Sequence, residues 1–322
     1  MITKAINKFN QFRKGMIVRV FNVLTRAYQK HGFEEKLEEN RPTVDFRMVN
    51  ANQKRSVEIK ERDMLLKEVL FSCYFIMKEN PQTGEVQGVA DFNYIKEWYE
   101  SVKKIDVNAI IIHDGIDQDF IDAYETDKIQ FRRFYAGNHP LIDERWITFY
   151  MFLKKTAIEK AFFTDIGDVV LTKSPFELIG SKNQLFIGRD NANKIRLSGW
   201  ILKEIQKFCK ETGEKLPKSF YFQALYNVGI IGGNRKVCLF VLSRVIEYIL
   251  KSNPKTYKEM TIFNVVIHNY FFPKLSYHVD EKVVVNPKND KDSSHEHLVS
   301  GYPLNSLFKG YEYDSDAYFI HK

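Results

Sequence analysis

Cysteine is scarce in this chain. Cys73, Cys209 and Cys238 are its three thiols, far apart, with neither a CxxC pair nor histidine at zinc spacing, which excludes a disulfide framework and a zinc ribbon. Such thiols fit a reducing cytosol. Long apolar runs are missing too. The richest stretch, residues 237–250, is broken by Ser243, Arg244 and Glu247, short of the roughly 18 uninterrupted residues that a spanning helix needs. No compact apolar core with a small-residue cleavage site opens the chain, and there is no Asn-x-Ser/Thr acceptor. The expectation is a cytoplasmic protein. Internal repeats and low-complexity segments are also absent, as is a GxGxxG phosphate loop, since Gly229, Gly232 and Gly233 have the wrong spacing.

What is present is an ample supply of core. At 322 residues, with 44% hydrophobic and 14% aromatic content, the chain can build one large domain or two small ones. The formal charge of +7 is placed unevenly. Residues 1–33 carry Lys4, Lys8, Arg13, Lys14, Arg19, Arg26 and Lys30 and no acid, so the remainder is near neutral. Ile2, Ile6, Phe9, Phe12, Met16, Val20, Phe21, Leu24 and Tyr28 recur at three- and four-residue steps, predicting a basic amphipathic helical arm. Such an arm can lie on the inner face of an anionic membrane as a peripheral contact, or pack against the body or a partner helix. Residues 34–63 read as a charged connector and 64–322 as the catalytic domain.

Within that domain, strands are predicted at 67–76, 108–113 and 129–134, with helices at 94–102 and 144–155, the second feeding a strand at Phe162 and Phe163. Alternation of this kind predicts an α/β fold with a mainly parallel sheet, whose ligands bind beyond the carboxyl ends of the strands. The segment AFFTDIGDVVL at 161–171 puts Asp165 and Asp168 at such an end. Carboxylates are hard ligands suited to Mg²⁺ or Mn²⁺, which often reach proteins together with nucleotide phosphates. A turn at Asp165 and a capping role for Asp168 are the plainer alternative. Four further signals follow in order: LFIGRDN at 185–191, YNVGIIGGN at 226–234, EMTIFN at 259–264, and YFIHK at 318–322.

This ordered set resembles the GT-A class of nucleotide-sugar-dependent glycosyltransferases, over roughly residues 65–322. In that class a DxD-type acid pair follows a central strand, an Asn-x-Gly segment comes next, an Asp-Gln-like pair heads a later helix, and a C-terminal histidine completes the metal site. The resemblance implies a GT-A-like, Rossmann-type, mainly parallel sheet flanked by helices. It also implies that Asp168, Asp165 and His321 hold Mn²⁺ or Mg²⁺. Ser72 and Tyr74, ending the first strand, would lie near the nucleotide base and ribose, and Asn227 and Gly229 near the transferred sugar. Lys322 would neutralise the diphosphate. Arg145 suits phosphate recognition by its fork of donors, or a salt bridge with a neighbouring acid. Asp190 would bind sugar hydroxyls, or make a turn. Glu259, at the head of a predicted helix, would touch donor or acceptor sugar and act as general base if the reaction inverts.

Two departures stand out: Asp165 and Asp168 are separated by two residues where the pattern has one, and Glu259-Met260 occupies the Asp-Gln position. The implied activity is metal-dependent transfer of a hexosyl or pentosyl group from a nucleoside-diphosphate sugar, UDP-sugars first, to a glycan, lipid-linked or other hydroxyl acceptor. A nucleotidyltransferase would need a glycine-rich basic loop after the first strand, which Ser72-Cys73-Tyr74 does not offer. A non-enzymatic membrane or nucleic-acid binder would spread its basic residues over the folded domain. No nucleic-acid partner is expected.

Overall fold

The computed structural model describes residues 55–79, 84–137, 139–189, 194–252, 258–271, 298–300, 304–307 and 317–322. The expected arm over 1–33, most of the connector and Asp190 lie outside the described residues.

A mixed, mostly parallel sheet runs through the centre. Strands β1 (Ser56–Val57), β2 (Glu68–Tyr74), β3 (Ala109–His113), β4 (Ile129–Tyr135) and β5 (Lys160–Thr164) form one half. The other half holds β7 (Leu185–Arg189), β8 (Tyr226–Asn234) and β9 (Leu298–Ser300), and the spatial order is β1-β4-β3-β2-β5-β8-β7-β9. Strands β2 to β5 are mutually parallel, while β8 is antiparallel to both neighbours and β1 to β4. The run AIIIH of β3 is buried at every position, as expected of a parallel strand covered on both faces.

Helices cover both faces. On one side lie α1 (Phe92–Ile105) and α2 (Gln118–Tyr124); on the other lie α3 (Leu141–Lys155), α4 (Gly199–Thr212), α5 (Arg235–Lys251) and α6 (Glu259–Tyr270). Helix α1 starts before the apolar pattern suggests because the Asp91 carboxylate accepts from the Asn93 N–H, a local N-cap. Helix α3 is buried throughout residues 146–153. Its Phe149 and Phe152 pack on Phe71, which stacks on Phe163 at 5.4 Å. Each such fully buried aromatic contributes about 1.5–3 kcal/mol by leaving water.

Residues 55–65 correct the expected connector boundary. Arg55 pairs with Glu144 at 2.9 Å, and Arg132 with Asp63 at 2.7 Å, all four side chains being buried. Charges that read as a solvated linker are paired inside the domain, and β1 joins its sheet.

The chain order creates the crevice. From β2 the chain steps outward through β3 to β4, then returns to place β5 on the opposite side of β2. Connections diverge between β2 and β5, and a ligand crevice opens beyond the carboxyl ends of strands at such a reversal. A small second sheet, in order β10-β11-β6, stands beside it: β6 (Val169–Leu171) pairs antiparallel with β11 (Phe319–His321), which pairs with β10 (Asn305–Leu307). Among the described residues no helix is long and apolar enough to cross a membrane.

Candidate metal centre at the sheet reversal

Strand β5 ends at Thr164, so Asp165 emerges into the crevice, where its backbone N–H donates to the Gly229 carbonyl of β8 at 3.0 Å. The chain then turns through Gly167 to Asp168 and enters β6. Gly167 lets Tyr94 approach closely: a Cβ there would stand 2.9 Å from the Tyr94 hydroxyl oxygen and push that ring aside. In β11, His321 lies opposite Val169. That register carries the imidazole to Asp168, with Nε2 3.5 Å from Oδ2, while the Lys322 N–H donates to the Asp168 carbonyl at 2.9 Å.

One donor atom from each of Asp165, Asp168 and His321 therefore lies within 4.8 Å of the others. Three observations fit this cluster to a divalent ion. Two carboxylates make a hard oxygen pair suited to Mn²⁺ or Mg²⁺, and the added imidazole nitrogen favours Mn²⁺ of the two. The inward Asp168 Oδ1 is buried without a hydrogen-bond partner among the described residues, which is costly for a carboxylate oxygen unless something else satisfies it. Gly229 keeps the cradle open, because a Cβ there would meet Asp165 Oδ2 and His321 Cε1 at 2.8 Å and Asn227 Oδ1 at 3.0 Å. Asn227 itself is oriented by accepting from the Gly229 N–H at 2.6 Å.

Behind the cluster stands Arg145, one turn into α3. Its Nε donates to Glu259 Oε1 at 2.6 Å, and its Nη1 reaches Asp165 Oδ1. The Trp146 indole N–H donates to the same Glu259 oxygen at 2.6 Å. Burial opposes the Arg145 cation, but Asp165 and Glu259 outweigh it, so the guanidinium holds its proton more firmly than usual. Glu259 is 1% exposed. Burial pushes its carboxyl up to about 7, with the Asp165 charge adding to the rise and Arg145 resisting it.

These groups line a cavity of about 460 Å³, within the range of small-ligand sites. Arg145, Asp165, Asp168, Asn227, Glu259 and His321 are its polar wall. Sequence reasoning thus named six side chains that the fold gathers from five elements. It also missed contributors. Cys73, Tyr94 and Trp200 line the cavity, and only Tyr94 had a local signal, its place just inside the Asp91 cap.

Ser72 and Tyr74 do not line it. Side chains alternate along β2, so these two point to the α1 face and Cys73 points to the cavity. The Ser72 hydroxyl donates to the Thr164 carbonyl at 2.6 Å; the Tyr74 hydroxyl accepts from the Asp91 N–H at 2.8 Å and from Gln87 at 2.6 Å. Ser72 ties β2 to β5 and Tyr74 ties the end of β2 to the segment before α1, so the β2 side chain on the cavity wall is Cys73, whose thiol is raised well above its ordinary range by burial. The Lys322 ammonium pairs with Glu97 and is likewise not part of the cavity wall. Arg145 takes the ion-pair role, with acids distant in sequence.

A second layer of acids lies beneath. Burial, with Glu259 and Glu144 nearby, raises Asp143 to about 7. Glu204 of α4 also reaches about 7, through burial first, although the Thr261 hydroxyl donates to it at 3.1 Å. A carboxyl raised in the folded state binds its proton more tightly than the unfolded chain does. Its favourable share of stability is therefore present at acid pH and lost as pH rises from the unfolded value toward 7. Glu204→Gln should accordingly be more stable than the parent at pH 8 by about 2 kcal/mol relative to pH 5. Urea unfolding of both proteins at the two pH values checks this, and a pH-independent difference would refute it.

A scan against protein-family models finds no match to this chain, and a search of curated proteins finds none either.

Proposed function

We propose that this chain is a divalent-metal-dependent glycosyltransferase of GT-A type, working in the cytoplasm and moving a sugar from a nucleoside-diphosphate sugar, UDP-sugars first, to a hydroxyl acceptor. The observation that carries this reading is the convergence of Asp165, Asp168 and His321 at the mouth of the sheet reversal, within 4.8 Å of one another. Structural acids gather on surfaces often. Two acids and a histidine delivered by separate strands to the expected ligand crevice, beside a cavity, call for a ligand.

Asp165, Asp168 and His321 would hold the ion. Mn²⁺ or Mg²⁺ bound there supplies Lewis-acid neutralisation of the charge that develops on a diphosphate leaving group. Arg145 adds a fixed positive charge on the same wall, preorganised by Glu259 and Asp165 before any substrate arrives. Asn227 offers its amide beside Gly229, where the donor sugar would lie. Glu259, with its proton affinity near neutral pH, is the candidate base for an inverting outcome. Tyr94 and Trp200 are the half-exposed aromatics of the same cavity wall.

The nucleotidyltransferase alternative fares worse. The cation after β2 is Lys78, and its ammonium donates to the carbonyls of Gly137 and His139, each at 2.6 Å, which spends it on the fold.

Calorimetric titration of UDP, GDP and CMP with and without Mn²⁺, followed by a hydrolysis screen of the corresponding nucleotide sugars, tests the reading. One nucleoside diphosphate should bind only with the metal, and its sugar should be slowly hydrolysed. Failure of every nucleotide to bind in the presence of Mn²⁺ or Mg²⁺ would overturn it.

A further inference from the structure

Helix α4 has two unlike sides. Ile201, Glu204, Ile205 and Phe208 are buried. Trp200, Lys203 and Lys207 follow one another at helical spacing on the opposite side, and all three are exposed. In the turn just before the helix Leu197 is 63% exposed, and Trp200 in its first turn is 48% exposed. From Lys194 to the end of α4 the chain carries five cations, Lys194, Arg196, Lys203, Lys207 and Lys210, against two acids, Glu204 and Glu211. Glu204 is buried and Glu211 pairs with Lys258, so the exposed stripe keeps a net positive charge. Trp200 also forms part of the cavity wall, so the stripe begins at the edge of the site.

Exposed leucine and tryptophan set among cations match one surface chemistry well. Tryptophan rings settle at the headgroup level of bilayers, lysines keep their ammonium groups near lipid phosphates while their stems lie along apolar surface, and a leucine enters the acyl boundary. A soluble polyanion would use the cations and leave Leu197 and Trp200 in water. We propose that the α4 rim, Leu197 and Trp200 with Lys203 and Lys207, is a membrane-contact face that seats the cavity against an anionic bilayer. The acceptor is then a hydroxyl presented at that surface, a consequence that rests on the glycosyltransferase reading; the lipid contact itself does not.

The tryptophans make the test selective. Trp98 and Trp146 are 1% and 2% exposed, and residues 1–54 contain no tryptophan, so a lipid-dependent emission change reports Trp200 and not the N-terminal arm. The full-length chain is mixed with phosphatidylglycerol–phosphatidylcholine vesicles whose acyl chains are brominated. The expected result is a blue shift with bromine quenching, weakened by salt because screening shortens the reach of the charges. Lys203→Gln with Lys207→Gln should weaken vesicle partition by about fivefold for each cation removed, with UDP and Mn²⁺ binding unchanged. Vesicle binding without quenching assigns the contact to the arm and overturns the proposal, as does a lack of binding. Quenching by soluble saccharides with vesicles silent would make Trp200 a sugar platform and overturn it too. Loss of the glycosyltransferase reading would appear separately, as failure of UDP to bind in the unmutated chain.

Discussion

Replacing Asp168 by alanine should abolish metal-dependent nucleotide binding and turnover while leaving the fold intact. The asymmetry follows from the surroundings of this carboxylate. Its inward Oδ1 is buried with no hydrogen-bond partner among the described residues. Removing the carboxylate relieves that unsatisfied oxygen and gives up only the 3.5 Å contact of the half-exposed Oδ2 side with His321, so the stability cost should be small. The backbone contact from Lys322 to the Asp168 carbonyl survives the substitution. For the metal the loss is severe: losing an outer partner of a ligand costs 10–100-fold in affinity, and losing the ligand itself should cost at least about 100-fold. Mn²⁺ titration beside thermal unfolding checks both halves. Retained Mn²⁺ affinity in a folded variant would remove Asp168 from the site, and with it the central claim.

Gly229→Ala is the second substitution expected to act strongly, and it acts by adding a single methyl group. The new Cβ would stand 2.8 Å from Asp165 Oδ2 and from His321 Cε1, and 3.0 Å from Asn227 Oδ1. All three atoms are the ends of side chains, which can swing aside, so the sheet tolerates the methyl. Swinging aside, however, pulls two proposed ligands and the amide out of register together. Catalytic groups must be held within about 0.5 Å of their productive geometry. Activity and Mn²⁺ affinity should fall by about 100-fold or more with little change in melting temperature. Gly232→Ala in the same strand is the contrast. Its Cβ would collide with the Phe162 ring in the core, so the cost there is stability. An active Gly229→Ala variant would show that the cradle is roomier than its geometry states.

The same strand shows how far the sequence was legible. YNVGIIGGN stands out as a glycine-interrupted apolar run carrying Asn227 and Gly229, and β8 spans those residues. Its reversed direction does not show, because a strand buried on both faces has the same composition whichever way it runs. Strand β2 hides its phase for the same reason. Buried on both sides, it offers no alternation to say whether Ser72 and Tyr74 or Cys73 faces the crevice. The acids were found because polar residues at the end of an apolar run are conspicuous. His321 was found because aromatic and β-branched neighbours, Tyr318, Phe319 and Ile320, mark a strand more than a tail. The pairing of Arg145 with Glu259, 114 positions apart, has no local signature, and neither does the placing of Trp200 at the rim. Buried ion pairs were the systematic blind spot. Arg55 with Glu144 and Asp63 with Arg132 look like linker charge until their partners are seen.

The shared guanidinium of Arg145 also bears on how this protein comes to be folded. Small domains that depend on a structural ion stay unfolded until it arrives, because their ligands repel one another or lack partners without it. Here Asp165 and Glu259 are brought together around a cation that the polypeptide itself carries. The chain supplies its own counterion, so the acids can be drawn into the interior before any divalent ion is encountered. On the proposed metal-dependent reading, folding and metal supply are thereby separable: a chain made without the ion would still assemble, and the ion would fill its site without refolding.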